Sequence, residues 1–296
     1  SHLVVHTHKN VSAEATVASH RLLLQSGLVI KNGVGLYTLS GLALRVLRKV
    51  EDIIDEEMQS AGCCKISMPG LTPASLWRET GRWEEAGEEL FRVQDRKQQS
   101  YCLGATHEET VTDVARQVVR SYRQLPVRLY QIGPKWRDEI RPRHGLLRGR
   151  EFTMKDLYSF DRDEASAQHT YQEIRQAYSR VCQRLGLYQA IPVPAEGGLM
   201  GGSWTEEILL PCTAGEDVLQ VCQQCQKPVG MSAAPGCSGS SVGCVCPSPS
   251  GGGGGGVAES SPLTQSIPVL EIGHLFRLGT RYSGSMGADF VDELEE

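Results

Sequence analysis

The chain has 296 residues, 40% of them apolar and 22% charged, with a formal net charge of −5. That length suits one large domain or two small ones, and the balance is ordinary for a soluble globular protein. No apolar run approaches the roughly 18 residues of a membrane helix, and the overall charge does not advertise a nucleic-acid binder.

In chain order, the N-terminal SHLVVHTHKN has neither an apolar signal core nor an arginine-rich presequence, and residues 1–18 are expected to form an extension. From Gly41 to Gly62 the pattern is helical, with Val46, Leu47, Val50, Ile53, Ile54 and Met58 at three- and four-residue spacings. CKISMPGL follows as a short strand closed by Pro69, and LWRETGRWEEAGEELFRV then mixes aromatic and charged residues. A second helix is predicted from His107 to Tyr122, its buried stripe being Val111, Val114, Ala115, Val118 and Val119. Thr106 and Glu109 have the spacing of a capping box at its head.

VRLYQIGPKWRDEI and RGREFTMKDLYSF read as two strands of a hairpin, joined by the Arg/Pro/Gly segment from Arg141 to Leu147. A third helix follows, with Asp163 as N-cap, one face of Tyr171, Ile174, Tyr178, Val181 and Leu185, and Gly186 as the stop. After Val221 the composition changes. Met231 to Pro262 is rich in Gly, Ser, Pro and Cys and includes six consecutive glycines, so 222–266 reads as a flexible insertion. Pattern resumes at IPVLEIGHLFRLGTRYS. Helices alternating with hairpins favour an α+β fold, an antiparallel β-sheet flanked by helices.

Charge is concentrated where the hairpin lies. Between Arg116 and Arg150 ten Arg/Lys face two acids, a local excess of eight positive charges. A phosphate-binding surface and a solvated basic face both fit that excess. With period two, Lys135, Arg137 and Glu139 share one face, and so do Arg148, Arg150, Phe152, Met154, Asp156 and Tyr158. One register therefore gathers arginine forks for phosphate, a ring that can stack on a purine, and carboxylates for an amino group or Mg²⁺. Phe152 and Met154 are expected to be buried beside the arginines.

Six of the ten cysteines lie between Cys212 and Cys246. Their uneven spacing argues against a secreted disulfide scaffold and for a reducing compartment. Cys222-x-x-Cys225 and Cys244-x-Cys246 are near a zinc-ribbon spacing, with Cys237 as a substitute ligand. A disordered insertion without metal fits the same segment.

WRDE, a loop, and Arg148-x-x-x-Phe152-x-x-x-Asp156 resemble motif 2 of class II aminoacyl-tRNA synthetases, and the first helix, strand and Pro69 resemble motif 1. More narrowly, LGATHEE, RDEIRPRHGLLRGREFTMKDLYSF, GLMGGSWTEE and EIGHLFRLGTRYS resemble, in order, segments of the prolyl-tRNA synthetase family of bacterial and mitochondrial type, over roughly Ser19 to Ser283. The resemblance implies a class II catalytic core over 19–221 that returns at 267–296. It also implies a two-step reaction in which proline and ATP give prolyl-adenylate and pyrophosphate, and the adenylate passes to tRNA(Pro).

The resemblance assigns roles residue by residue. Arg137 would hold the α-phosphate and the amino-acid carboxylate, and Glu139 the adenine or the loop. Arg148, with Arg150, would bind the distal phosphates, and Phe152 would stack on adenine. Arg137, Glu139 and Arg148 are the catalytic candidates; Arg141 and Arg143 would reach phosphate or the tRNA acceptor end. Thr106 and Glu108 match the family's Thr-x-Glu element for the proline imino group, with Met154 and Tyr158 as pocket wall. Glu207 matches an acid after Gly201, Gly202 and Ser203. His274 is either near the site or a core histidine. ATP with Mg²⁺, a homodimer through motif 1 and a mitochondrial matrix location, with cytoplasm as the alternative, are further implications.

The sequence departs from the family at Ala105, Trp136, His144, Thr205 and Glu206. No Gly-x-Gly-x-x-Arg follows LGTRYS, so the chain is expected to stop short of motif 3 and the anticodon-binding domain. A truncated or degenerate paralogue that binds tRNA or a partner without aminoacylation is the alternative function.

Overall fold

The computed structural model describes residues 7–10, 15–195, 200–202, 204–223, 228–232 and 264–291. Its contacts divide the chain differently from the boundaries expected at 222 and 267. One unit runs to Gly186 and resumes at Leu278; the other is Leu187–Arg277.

In the first unit, α1 (Ala18–Gln25) precedes a hairpin of β1 (Val29–Gly33) and β2 (Leu36–Leu39), and α2 (Gly41–Ser60) follows. Next come β3 (Cys64–Lys65), β4 (Leu71–Pro73), α3 (Ala74–Glu79), α4 (Arg82–Glu85), β5 (Arg92–Gln94), β6 (Ser100–Leu103) and α5 (Glu108–Val118). The long hairpin is β7 (Val127–Trp136) and β8 (Glu151–Phe160), followed by α6 (Glu164–Arg184); α7 (Arg281–Ser285) belongs to the resumed segment. Sheet order is β3-β7-β8 and β4-β6-β5. All pairs are antiparallel except β3 with β7, which is parallel.

The apolar stripes of α2 and α6 find each other over β7. Met58, Cys63, Tyr130, Ile174 and Ala177 form one buried cluster, with Ile54, Leu157, Tyr178 and Val181 packed against it. Asp163 caps α6, accepting from Ser166 N at 2.7 Å, and Gly186 takes φ +77° just past its end. A second cluster under β4-β6-β5 holds Ala74, Trp77, Trp83, Leu90 and Cys102. Two residues of the expected stripes lie outside these cores: Val46 is 59% exposed and Val118 50%.

The second unit is one antiparallel sheet ordered β12-β11-β13-β10-β9, built from β9 (Ile191–Ala195), β10 (Trp204–Pro211), β11 (Asp217–Cys222), β12 (Pro228–Ser232) and β13 (Thr264–Arg277). Its core is Val193, Leu209, Leu219, Val221 and Val269. The interval read as an insertion thus begins and ends inside this sheet: Cys222 closes β11, Pro228–Ser232 is a strand, and Thr264 opens β13 opposite Cys222. Ladder pairing overrides the weak local strand signal there.

Across α2 and α6, Glu57 accepts from Arg180 Nε at 2.6 Å and Arg184 Nη1 at 3.0 Å. The Arg180 bond, and then the Arg184 bond, hold the Glu57 carboxyl below the usual carboxylate range against the upward push of burial. Its stabilising contribution is complete above the unfolded-state carboxylate value and is lost as pH falls through the lower folded value. Thermal unfolding of Glu57→Gln should therefore show a lower midpoint than the parent at neutral pH, with the gap closing in acid. A gap independent of pH would contradict this origin.

Candidate functional site

The expected hairpin is present, with Lys135 opposite Phe152, Gly133 opposite Met154 and Gln131 opposite Asp156. Its ladder stops at Trp136 and Glu151, short of the ends the sequence pattern suggests. Period-two alternation therefore does not place Arg137, Glu139, Arg148 and Arg150. Hydrogen bonds of the connecting loop do. Arg137 N donates to Arg150 O at 3.0 Å, Asp138 N to Glu89 O at 2.8 Å, and Arg143 N to Arg148 O at 3.1 Å.

The β1–β2 turn props this loop from outside. Arg150 N donates to Gly35 O at 2.9 Å. Gly35 has φ +72°, and a Cβ there would lie 2.8 Å from Pro142 Cβ and 2.9 Å from Arg150 N, so the close approach requires glycine. Gly145, at φ +67°, is met by the His20 ring of α1 in the same way, its ideal Cβ falling 2.6 Å from His20 Cδ2.

Within the loop, Glu139 accepts from Arg148 Nε at 2.7 Å and from Arg141 N at 3.0 Å. Burial pushes the Glu139 carboxyl up, but the Arg141 N–H and the Arg148 guanidinium outweigh it and hold the group below the usual range. Arg150 donates from Nε to Glu139 O at 3.1 Å and lies 3.4 Å from Asp138. The Arg137 guanidinium sits 5.4 Å from the Phe152 ring centroid. Arg141 and Arg143 are exposed. Phe152 and Met154 are half-buried rather than buried, because the strand face they occupy is only partly covered.

Beneath the loop lies a polar network that the sequence pattern did not reveal. Lys135 is 0% exposed and donates to Asp156 Oδ1 at 2.8 Å. Asp156 also accepts from Gln131 Nε2 at 3.1 Å and Tyr158 Oη at 2.9 Å. Tyr158 Oη in turn accepts from His107 N at 3.0 Å. The network thus carries Tyr158 to the head of α5. His107 itself is buried with Nε2 3.1 Å from Pro69 O. Burial, then the charge of Lys135, pushes its imidazole below the usual range. Trp136 N donates to Gly104 O at 3.2 Å, tying the Gly104–Thr106 turn to the residue just before Arg137.

The capping box is not formed. His107 is the N-cap, with no side-chain cap bond. Thr106 and Glu109 instead both turn to Arg82, a buried residue of α4. Arg82 Nη2 donates to Thr106 Oγ1 at 3.2 Å, and Nη1 donates to Glu108 Oε2 at 3.1 Å and Glu109 Oε1 at 3.0 Å. Thr80 Oγ1 adds a donor to Glu109 at 3.0 Å. The guanidinium stands 4.7 Å from the Trp77 ring and 5.6 Å from that of Tyr282 on α7. Among the described residues Glu108 Oε1 has no hydrogen-bond partner. With both carboxylates charged, this cluster carries one negative charge in excess.

Glu207 stands in the second unit, on β10 directly opposite His274 of β13. His274 Nδ1 lies 3.1 Å from Glu271 Oε1 and 3.9 Å from Glu207 Oε1, and its ring stacks on Phe276. Burial, then the Glu271 charge, lifts the Glu207 carboxyl above the usual range. These three side chains bring ligand atoms within 4.8 Å of one another and are the described residues grouped as a cation could use them. Of the cysteines read as zinc ligands, Cys222 is buried at the end of β11; Cys225, Cys237, Cys244 and Cys246 lie outside the described residues.

Comparison with known proteins places this geometry. Residues 91–296 match the family described as tRNA synthetase class II core domain (G, H, P, S and T). Proline–tRNA ligases of Nitratidesulfovibrio vulgaris and Geotalea daltonii are 49% and 48% identical to the chain over 235 residues, covering 79% of it and 41% of their own length. The chain thus spans about two-fifths of the curated relatives it matches. Prolyl-tRNA synthetase of Giardia lamblia, solved with prolyl-adenylate, superposes with a TM-score of 0.68 at 14% identity over 91% of the chain and 46% of its own. That of Cryptosporidium parvum, solved with halofuginone and AMPPNP, gives 0.68 at 13% over 98% and 52%. The α+β fold is that of a class II catalytic domain, and the chain belongs to the class II tRNA synthetase core family.

Proposed function

We propose that the chain is the catalytic part of a proline–tRNA ligase. One observation carries the specificity: Glu108, buried beside Thr106, keeps an oxygen with no hydrogen-bond partner among the described residues, in a cluster that carries one excess negative charge when both carboxylates are charged. That arrangement suits a small secondary ammonium ion, the charged form of proline's ring nitrogen. The nearby proline–tRNA ligases at 48–49% identity support the same reading.

In this reading the proline carboxylate oxygen attacks the α-phosphorus of ATP, the bond to pyrophosphate breaks, and prolyl-adenylate forms. A ribose hydroxyl at the 3′ end of tRNA(Pro) then attacks the prolyl carbonyl, and AMP leaves. No protein nucleophile is needed; catalysis rests on position and on charge facing the phosphates. Arg137 holds the α-phosphate and the proline carboxylate, while Phe152 supplies the adenine platform. Arg148 and Arg150 receive the distal phosphates, and Glu139 steadies Arg148 and the loop. Met154 and Tyr158 wall the proline site. Exposed Arg141 and Arg143 meet the tRNA acceptor end. Mg²⁺ accompanies the nucleotide; because Asp138 and Glu139 are already held by Arg150 and Arg148, the loop's share of phosphate neutralisation falls to arginine.

ATP–pyrophosphate exchange tests the assignment. Proline should drive exchange, and glycine, histidine, serine and threonine should not. Exchange driven only by one of those four would overturn the specificity, and tRNA binding without any exchange would favour a non-catalytic paralogue. Arg137→Ala should lower proline-dependent exchange by about 100-fold or more with an unchanged circular dichroism spectrum.

A homodimer through the motif 1 region is part of the same proposal. Ile30 and Val34 at the β1–β2 hairpin and Leu44 and Val46 on α2 are 53, 57, 40 and 59% exposed, an apolar surface suited to a second copy. Sedimentation of Val46→Glu should show monomer where the parent is dimeric. A dimer of unchanged affinity would remove α2 from the interface.

A further inference from the structure

Arg82 and Glu109 are unused by the chemistry above, yet they are the most completely buried charges around Glu108. Resting on the proline reading, we infer that Arg82 and Glu109 form a buried positioning pair that sets both the orientation and the net charge of Glu108, and through them the grip on the proline ring nitrogen.

Orientation comes from the fork. One guanidinium holds Thr106 Oγ1, Glu108 Oε2 and Glu109, and the ring centroids of Trp77 and Tyr282 lie 4.7 and 5.6 Å from it. Glu108 therefore has one oxygen committed to Arg82 and presents the other. Charge comes from sharing. Nη1 contacts both Glu109 oxygens, at 3.0 and 3.2 Å, against a single contact of 3.1 Å to Glu108. Glu109 thus absorbs most of the arginine charge and leaves Glu108 under-neutralised. Without Glu109, Arg82 would neutralise Glu108 and the site would lose its attraction for a cation. Without Arg82, two buried carboxylates would stand side by side and share a proton.

Burial lifts the Glu109 carboxyl above the usual range, Arg82 opposes it and the Glu108 charge adds to it. Among the described residues, titratable groups facing the pair include His107, Tyr158, Tyr282 and Cys102. Burial pushes the His107 imidazole down and the tyrosine hydroxyls and the thiol up, so all four favour their neutral forms.

The test is calorimetric binding of a prolyl-adenylate analogue, with a sulfamoyl group in place of the phosphate, followed from acid to alkaline pH. Glu109→Gln, which alters no group in contact with the ligand, should bind at least about tenfold more weakly. The pH below which its binding fails should move down, since one carboxylate now has the cation to itself. Arg82→Met should also bind weakly, with that pH moving up. Arg82→Lys keeps the charge without the fork and should leave the pH limit near the parent's while affinity falls. The double variant Arg82→Met, Glu109→Gln restores one net negative charge and should bind more tightly than either single variant. Melting curves of all four variants exclude unfolding. Parent-like binding by Glu109→Gln, equal pH limits in the two single variants, or strictly additive losses in the double variant would each overturn the positioning role while leaving the proline reading intact. Failure of the parent to bind the analogue would overturn that reading and this inference together.

Discussion

Lys135 and Asp156 meet at 2.8 Å with Lys135 wholly out of water, and much of the first unit is arranged to make that tolerable. Burying two charges costs several kcal/mol per ion unless geometry and extra hydrogen bonds offset it. Here Gln131 and Tyr158 give Asp156 two further donors, so the carboxylate is surrounded. The pair also fixes register. A one-residue slip between β7 and β8 would turn Lys135 or Asp156 to the opposite face and strand the other unpaired. From this fixed ladder Tyr158 reaches the head of α5, and Gln131 Oε1 accepts from Met68 N at 3.0 Å, holding the segment between β3 and β4.

The two buried charge clusters differ in a way that separates scaffold from site. Around Asp156 the charges balance and the acceptor is saturated. Around Arg82 two carboxylates share one cation, and among the described residues an oxygen of Glu108 has no hydrogen-bond partner. A balanced cluster needs nothing more; an unbalanced one is completed by a cation. The loop above has the opposite sign, since Arg137, Arg141, Arg143, Arg148 and Arg150 outnumber Asp138 and Glu139. In the proposed function, an amino acid bearing an ammonium group and a polyphosphate beside it meet the two conditions.

Much of this was legible in the sequence where the physics is local. The 3.6-residue stripes gave α2 and α6 nearly to their ends and α5 to within a turn, Asp163 announced its cap, and the segments VRLYQIGPKWRDEI and RGREFTMKDLYSF around an Arg/Pro/Gly loop gave the hairpin. The loop residues were found as a set, but through the wrong device: the ladder ends at Trp136 and Glu151, and turn hydrogen bonds take over. Thr106 and Glu109 had the spacing of a local cap, and a long-range arginine outbid it. Arg82 could not be read in advance, because it meets Glu108 and Glu109 from 26 and 27 residues away and sits in a stretch whose mixed aromatics and charges carry no period. Trp77 and Trp83 around it were the available hint. In the second unit the strand β12 flanks a glycine-rich run, and only pairing with β11 reveals it.

Chain order adds a consequence of the divided first unit. The whole of Leu187–Arg277 is inserted between α6 and α7, and α7 brings Tyr282 to the Arg82 guanidinium and Arg281 to Glu85 at 2.8 Å. During synthesis the ribosome must therefore release the entire second sheet before α7 can bring the Tyr282 ring to the Arg82 guanidinium. The nascent first unit is left open along one side for the time a ninety-odd-residue sheet takes to emerge.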